Sequence, residues 1–407
     1  VEKERSNPEF ISGGVTAAAG FLAGTAFARI KRKLKRDLTV LYSTVPASAA
    51  GVFTSNKVKA APVLVTMDRI AAGGARALVV NSGNANACNG EQGMRDALAM
   101  AAEAAAALGI PEEDVLVAST GVIGQRMPME RVLPGIRAAV AALAPDGGAP
   151  AAEAIMTTDT CPKEAAVRLE LGGKPVTVGG MAKGSGMIHP NMATMLCFVT
   201  TDAAISSACL KQALKHAVDR SFNMVTVDGD TSTNDMALVL ANGLAGNKGI
   251  DGEGPDYALF RDALTEVCVR LAVVVARDGE GATRLIEVEV RNAATERDAR
   301  LAARAVASSS LVKAAIFGRD ANWGRVICAA GYSGACFSPG KVDIFLGDEQ
   351  VAGDGGALAF SEERALEILG RDTVKITLDF KDGPYGATAW GCDLTYDYVK
   401  INADYRT

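Results

Sequence analysis

Histidine is nearly missing from the chain. Among 407 residues only His189 and His216 occur, so chemistry here must run largely without imidazole. Aromatic residues are scarce at 5%. No CxxC pair joins any of the cysteines at 88, 161, 197, 209, 268, 328, 336 and 392, which argues against a zinc site and a disulfide scaffold. They are expected to be small buried apolar residues in a reducing compartment. No run approaches the about 18 consecutive apolar residues of a membrane helix. The Gly- and Ala-rich stretch Gly13 to Ala28 has its basic run after it, at Arg29 to Arg36, the wrong order for a secretory signal. It is read as a site of close backbone packing. A basic excess is also lacking. Lys plus Arg number 42 against 47 Asp plus Glu, a net charge of −5, which excludes the electrostatic footprint of a nucleic-acid binder.

What is present is an ordinary globular composition, 49% hydrophobic and 22% charged. The length suits two or three domains of about 100–200 residues each. Strand and helix signals alternate. Leu38 to Ser43 and Ala77 to Val80 read as buried strands, and Gln92 to Leu108 as an Ala-rich helix stopped by Gly109 and Pro111. Ala144 to Ala151 reads as a flexible connector. Helices are expected at Ser206 to Arg220, capped by Ser206 or Ser207, and at Pro255 to Leu271. From Arg284 onward the texture changes. Strands are expected at Leu285 to Val290, Val342 to Leu346, Val374 to Phe380 and Leu394 to Ile401, with helices at Thr295 to Val306 and Ser361 to Leu369. The fold class is therefore mixed α/β, with a smaller C-terminal α/β domain.

Three loops resemble chemistry. Gly180 to Gly186 (GMAKGSG) has the glycines of a phosphate loop, but Lys183 precedes Gly184 and a proline follows where a helix should start. Asp228 to Asp235 (DGDTSTND) resembles a calcium loop through Asp228, Asp230 and Ser232, yet Thr233 and Val239 replace its glycine and closing glutamate. A plain polar turn is the default reading, and contact with a cation or a substrate ammonium stays open as the alternative. Asn81 to Gly90 (NSGNANACNG) reads as either a tight structural turn or a site wall. No metal and no organic cofactor is indicated.

The informative segment is Lys183 to Cys197, KGSGMIHPNMATMLC. Breaking the Ala193–Thr194 bond would place an α-amine beside the Thr194 hydroxyl. That amine has a reference pKa of about 7.7–8.0 and can serve as a base near neutrality, which activates a threonine without histidine.

HPNMATML, STGVIG at Ser119 to Gly124, MTTDT at Met156 to Thr160, VDGDTSTND, DGEGAT at Asp278 to Thr283 and the ending WGCDLTYDYVKINADYRT together resemble the ornithine acetyltransferases. These are the glutamate N-acetyltransferases of arginine biosynthesis. Matching segments run in order from VPASAAGVFTSNKVKAAPV at Val45 through FGRDANWGRVICAAGYSG to Thr407. The resemblance implies a layered sandwich like that of the N-terminal-nucleophile aminopeptidases. It also implies a precursor cut between Ala193 and Thr194 into an α chain, 1–193, and a β chain, 194–407, assembled as two α and two β. Within the β chain, 194–283 would complete the core and 284–407 form the C-terminal domain. Thr194 would take an acetyl group from N-acetylornithine and pass it to glutamate, with acetyl-CoA as a further donor in some members. Thr120 and Gly121 would stabilise the oxyanion, and Thr157, Lys183, Thr194, Glu280, Asn402 and Thr407 would contact substrate. Lys183 suits a carboxylate and Glu280 an ammonium, since the substrates are zwitterions. A hydrolase on the same scaffold, with water as acceptor, is the alternative. Neither nucleic acid nor membrane is an expected partner. The compartment is expected to be the cytoplasm, or an organelle if a targeting segment once preceded Val1.

Overall fold

The computed structural model describes residues 8–30, 35–189 and 195–404. Its framework is a nine-stranded sheet in the order Glu9–Ile11, Lys163–Leu171, Lys174–Lys183, Leu196–Thr201, Met236–Ala241, Leu38–Phe53, Gly74–Asn84 and Val115–Val122, with Phe21–Ala26 also paired to Leu38–Phe53. The long strand Leu38–Phe53 carries the connection. Its first half pairs with Gly74–Asn84, its last residues with Met236–Ala241, and its register shifts between Tyr42 and Ala47.

Alternation in the strands shows how the sheet folds over. Leu116 and Ala118 pack in one cluster with Leu196, Phe198, Met236 and Leu238, so the two halves of the sheet face each other. Their neighbours Val115 and Val117 point the other way, onto Met100, Val132 and Ile136 of the helices Gly90–Leu108 and Met129–Ala141. Cys197 and Val199 likewise pack outward with Leu210, Leu214, Phe260 and Leu264 of the helices Ser207–Arg220 and Pro255–Arg277. The result is four layers, helix, sheet, sheet, helix. Both faces of the central strands are apolar because both are covered.

A seven-stranded second sheet runs Gly356–Ala357, Glu349–Gly353, Asp343–Leu346, Thr373–Asp379, Leu285–Ala293, Tyr385–Cys392 and Val225–Thr226. All but the last strand follow Arg284. Ile286, Val288 and Val290 share one apolar cluster with Phe260 and Leu271, so this sheet packs on the same long helix as the sandwich.

Expected elements reappear with changed bounds. The helix opened by Ser206 is Ser207–Arg220, and the Ser206 side chain accepts from the Cys209 N–H at 3.3 Å. Three expectations are corrected. Ala144 to Ala151 is not a loose connector: Gly148–Ala154 is helical, and a Cβ on Gly147 would lie 1.9 Å from the Ala23 carbonyl oxygen. Its glycines permit contact with the strand Phe21–Ala26 rather than flexibility. Leu394 to Ile401 is not a strand, since Tyr396–Asp404 is a helix. Its alternating apolar residues have no sheet to join, and Tyr396 and Val399 stay exposed at 84% and 64%. The cysteines are not uniformly buried, because Cys88, Cys328 and Cys336 are exposed.

Phe198 is fully buried between the two halves of the sheet. Phe198→Ala leaves a cavity that the rigid sheets cannot close. It is expected to destabilise the protein by about 3–5 kcal/mol, read as a lowered denaturation midpoint.

Candidate active site

The hairpin between Lys174–Lys183 and Leu196–Thr201 sets the place. Lys183 pairs with Leu196 at the last rung, and Leu196 also pairs with Met236. The connecting segment leaves the sheet at Gly184 and returns at Met195, whose carbonyl accepts from the Met236 N–H at 3.2 Å. The bond Ala193–Thr194 belongs to this segment, but both residues lie outside the described residues, as does Thr407.

A pocket opens beside the hairpin. Thr120, Gly121, Thr158, Gly186, Asp228, Asp230, Ser232, Asn234, Glu280, Tyr398 and Asn402 are on its wall. Thr120 and Gly121 arrive at the end of the strand Val115–Val122. Gly121 has φ +133°, and a Cβ there would lie 2.3 Å from the carbonyl carbon of Gly83. No other residue fits, so its backbone N–H is left unscreened by a side chain.

The loops left open by the sequence are walls and their braces. Asn234 donates to the carbonyls of Ala85 at 2.6 Å and Ser119 at 2.8 Å, fastening the 228–235 loop to the 81–90 loop and to the strand bearing Thr120. Asp228 accepts from the N–H groups of Met187 at 2.6 Å and Ile188 at 2.9 Å, which fixes the entry to the Ala193–Thr194 segment. Burial raises the Asp228 carboxyl above the ordinary value, against the pull of those backbone donors and with the Asp230 charge adding to it.

The glycine-rich run Gly180 to Gly186 is not a phosphate loop: Gly180 to Lys183 belong to the strand Lys174–Lys183, and Ser185 and Gly186 at its end lie against Glu280. A Cβ on Gly186 would lie 2.4 Å from the Glu280 carboxyl carbon. Glu280 is buried, its N–H donates to the Ser185 carbonyl at 3.0 Å, and its Oε2 accepts from Asn402 Nδ2 at 2.9 Å. Asn402 comes from the C-terminal helix, which Thr395 anchors by donating to the Gly281 carbonyl at 2.7 Å. Tyr398 of the same helix titrates well above its ordinary range, through burial and then the charges of Asp228, Glu280 and Asp230.

Lys183 is buried behind Thr120, and its Nζ stands 3.4 Å from Thr120 Oγ1. Burial lowers its pKa, and the Asp159 charge works against that fall. Thr157 stands beside the wall residue Thr158, its N–H donating to Asp159 at 2.9 Å. The fold thus gathers Thr120, Gly121, Glu280 and Asn402 around one pocket, with Lys183 and Thr157 immediately outside it. Asp228, Asp230 and Ser232, the residues that made the loop resemble a cation site, are on the wall, and Asn234 and Tyr398 join it without having been singled out. The density of polar residues in DGDTSTND was the available signal. Tyr398 gave none, because its segment read as a strand.

The wall carries the carboxylates of Asp228, Asp230 and Glu280 together with Thr120 and Gly121, and the Lys183 ammonium stands behind Thr120. That arrangement suits a zwitterionic amino acid whose acyl group is being transferred. Among the described residues no three His, Cys, Asp or Glu side chains are placed to hold a metal ion. No single described helix is long and apolar enough to cross a membrane.

A sequence profile of the ArgJ family matches residues 22–407. The chain belongs to the ArgJ family. It is similar to the arginine biosynthesis bifunctional protein ArgJ of Symbiobacterium thermophilum, at 64% identity over 401 residues, 98% of this chain and 100% of that one. The protein of the same name from Caldanaerobacter subterraneus subsp. tengcongensis is 54% identical over 403 residues, again 98% and 100% of the two chains. The crystal structure of arginine biosynthesis bifunctional protein ArgJ from Bacillus halodurans matches at 51% identity and a TM-score of 0.50, covering 51% of this chain and 98% of that chain.

Proposed function

We propose that this ArgJ family member is the acyltransferase of arginine biosynthesis that moves an acetyl group from N2-acetyl-L-ornithine to L-glutamate through Thr194. The observation that carries the reading is the pocket in which Thr120 and Gly121 meet Glu280, Asp228 and Asn402 beside the segment that contains Ala193–Thr194.

The chain first cuts itself. The Thr194 hydroxyl attacks the Ala193 carbonyl, the peptide becomes an ester, and water opens it to an Ala193 carboxylate and a free Thr194 amine. The products are an α chain, 1–193, and a β chain, 194–407. Supporting this, half of the present chain accounts for 98% of the Bacillus halodurans polypeptide. The α chain and 194–283 then make up the sandwich, 284–407 makes the C-terminal domain, and two α and two β chains assemble in the cytoplasm.

In the first half-reaction Thr194 Oγ attacks the acetyl carbon and the Thr194 amine takes the hydroxyl proton. Thr120 and Gly121 hold the oxyanion. Its collapse returns the proton to the leaving amine and frees ornithine. Glutamate then attacks the acetyl ester with its own amine, and N-acetylglutamate leaves. Lys183 serves the substrate carboxylate, and Glu280, steadied by Asn402, serves the ammonium. Thr157 makes a further substrate contact, and Asn402 and Thr407 of the tail contact substrate and close the pocket. Neither half-reaction calls for a metal or an organic cofactor.

One nucleophile serving two substrates in turn requires ping-pong kinetics. N-acetylornithine alone is expected to leave one acetyl group on the peptide that begins at Thr194, detected by mass spectrometry. Intersecting double-reciprocal lines without that adduct would mean direct transfer in a ternary complex. Steady release of acetate without glutamate would identify a hydrolase instead. The relatives' designation as bifunctional supports a second donor, acetyl-CoA. Formation of N-acetylglutamate with acetyl-CoA as sole donor tests it.

A further inference from the structure

Behind the pocket lies a cluster of charges that the steps above do not use. Lys163 is fully buried, with Nζ 2.7 Å from Asp159 Oδ1, 2.5 Å from Asp278 Oδ2 and 3.3 Å from the Cys161 carbonyl oxygen. Its three N–H donors are therefore all engaged. Asp159 does more than pair with it. The same Oδ1 accepts from the Gly184 N–H at 2.7 Å, and Oδ2 accepts from the Thr157 N–H at 2.9 Å. Gly184 is the residue next to Lys183.

We infer that Asp159 is a positioning residue of the transfer site: its carboxylate ties the loop of Thr157 to the residue after Lys183 and keeps the Lys183 ammonium against the Thr120 hydroxyl. The inference rests on the acetyl-transfer reading above. The direction of one hydrogen bond gives it chemical content. An ammonium has donors only, so Lys183 Nζ must donate to Thr120 Oγ1, across 3.4 Å. The Thr120 hydrogen is then free to point into the pocket and to donate to an oxyanion. A neutral Lys183 amine could accept that hydrogen and turn it away.

The charges facing Lys183 are Asp159, Lys163, Asp235 and Glu280. Asp159 leads them in favouring the ammonium, against burial and against the like charge of Lys163. Lys163 and Lys183 in turn outweigh the burial of Asp159 and hold its carboxyl well below the ordinary carboxylate range. With Asp278 the cluster has two carboxylates and two ammoniums, so removing Asp159 leaves Lys183 with less reason to stay charged.

The test compares pH profiles of kcat for acetyl transfer in cleaved wild type, Asp159→Asn and Asp278→Asn. Both variants remove one partner from Lys163, but only Asp159 leads the charges that hold the Lys183 proton. Activity needs charged Lys183, so it falls as pH rises through that group's pKa, and a lowered pKa moves the alkaline limb to lower pH. Asp159→Asn is expected to move the limb down by about one unit, a tenfold loss above it. Asp278→Asn is expected to lower thermal stability and leave the limb in place. An unmoved limb in Asp159→Asn, or equal shifts in both variants, overturns the inference. Wild type that transfers no acetyl group would overturn the functional reading instead. Should Asp159→Asn yield no soluble protein, Asp159→Glu decides. It keeps the charge but lengthens the tie, so the limb should stay and kcat should fall about tenfold. A wild-type kcat or a displaced limb in Asp159→Glu overturns the assignment.

Discussion

Thr194→Ala is expected to give one uncut chain and no acetyl transfer. Alanine has no oxygen to attack the preceding carbonyl, so the ester from which water releases the two chains never forms. Transfer is lost twice over, since the variant lacks both the nucleophilic hydroxyl and the free amine that would activate it. Removing the nucleophile of a comparable acyl-transfer enzyme costs on the order of 10⁶ in kcat. Denaturing electrophoresis and N-terminal sequencing separate the two losses. Wild type should show two bands, one of them starting at Thr194. Thr194→Ser keeps a hydroxyl and should still cut, at a reduced rate. Two bands from Thr194→Ala would show that the chain is cut by another agent or at another bond.

The mixed α/β class was legible in the sequence because burial on both faces leaves branched, apolar strand segments, as in Leu38 to Ser43. The layered sandwich came from the resemblance, and Leu38 to Ser43 is only the start of the strand Leu38–Phe53. The start of the helix Ser207–Arg220 was legible from its serines, and the structure chooses Ser206 over Ser207 as the cap. The C-terminal helix was not legible. Leu394, Tyr396 and Tyr398 alternate like strand residues, and only the absence of a neighbouring strand decides against one. Resemblance pointed to Thr120, Gly121, Glu280 and Asn402, and the fold brings them to one pocket from the end of a strand, a loop after the long helix, and the tail. What holds them there was hidden. Asn234 reaching Ala85 and Ser119, and Asp159 reaching Gly184, are contacts between distant segments that follow no period. Nor could spacing show that Gly186 is small to admit Glu280, or that Gly147 is small to admit Ala23.

Thr120→Ala is expected to cut transfer far more than substrate binding. Thr120 lines the pocket at the end of a strand whose backbone is locked by the Gly83–Gly121 pairing. Its hydroxyl oxygen accepts from Lys183, so the donor is held in place before substrate arrives. Charge reaches the acetyl oxygen only in the tetrahedral intermediates, and an interaction made only there lowers kcat and kcat/KM together and leaves KM in place. The expected loss is on the order of 10²–10³ in kcat, or about 2.7–4 kcal/mol, with the Gly121 N–H still present as the second donor. Asn402→Ala supplies the contrast. Asn402 steadies the Glu280 carboxylate in the ground state as well as during reaction, so its loss should fall chiefly on KM. Self-cleavage passes through an oxyanion too, and slowed maturation of Thr120→Ala belongs to the same prediction. Its kinetics are therefore read on material shown by mass spectrometry to be cut at Thr194. Cleaved Thr120→Ala with a normal kcat and a raised KM would make Thr120 a binding residue, and the oxyanion would then rest on Gly121 alone.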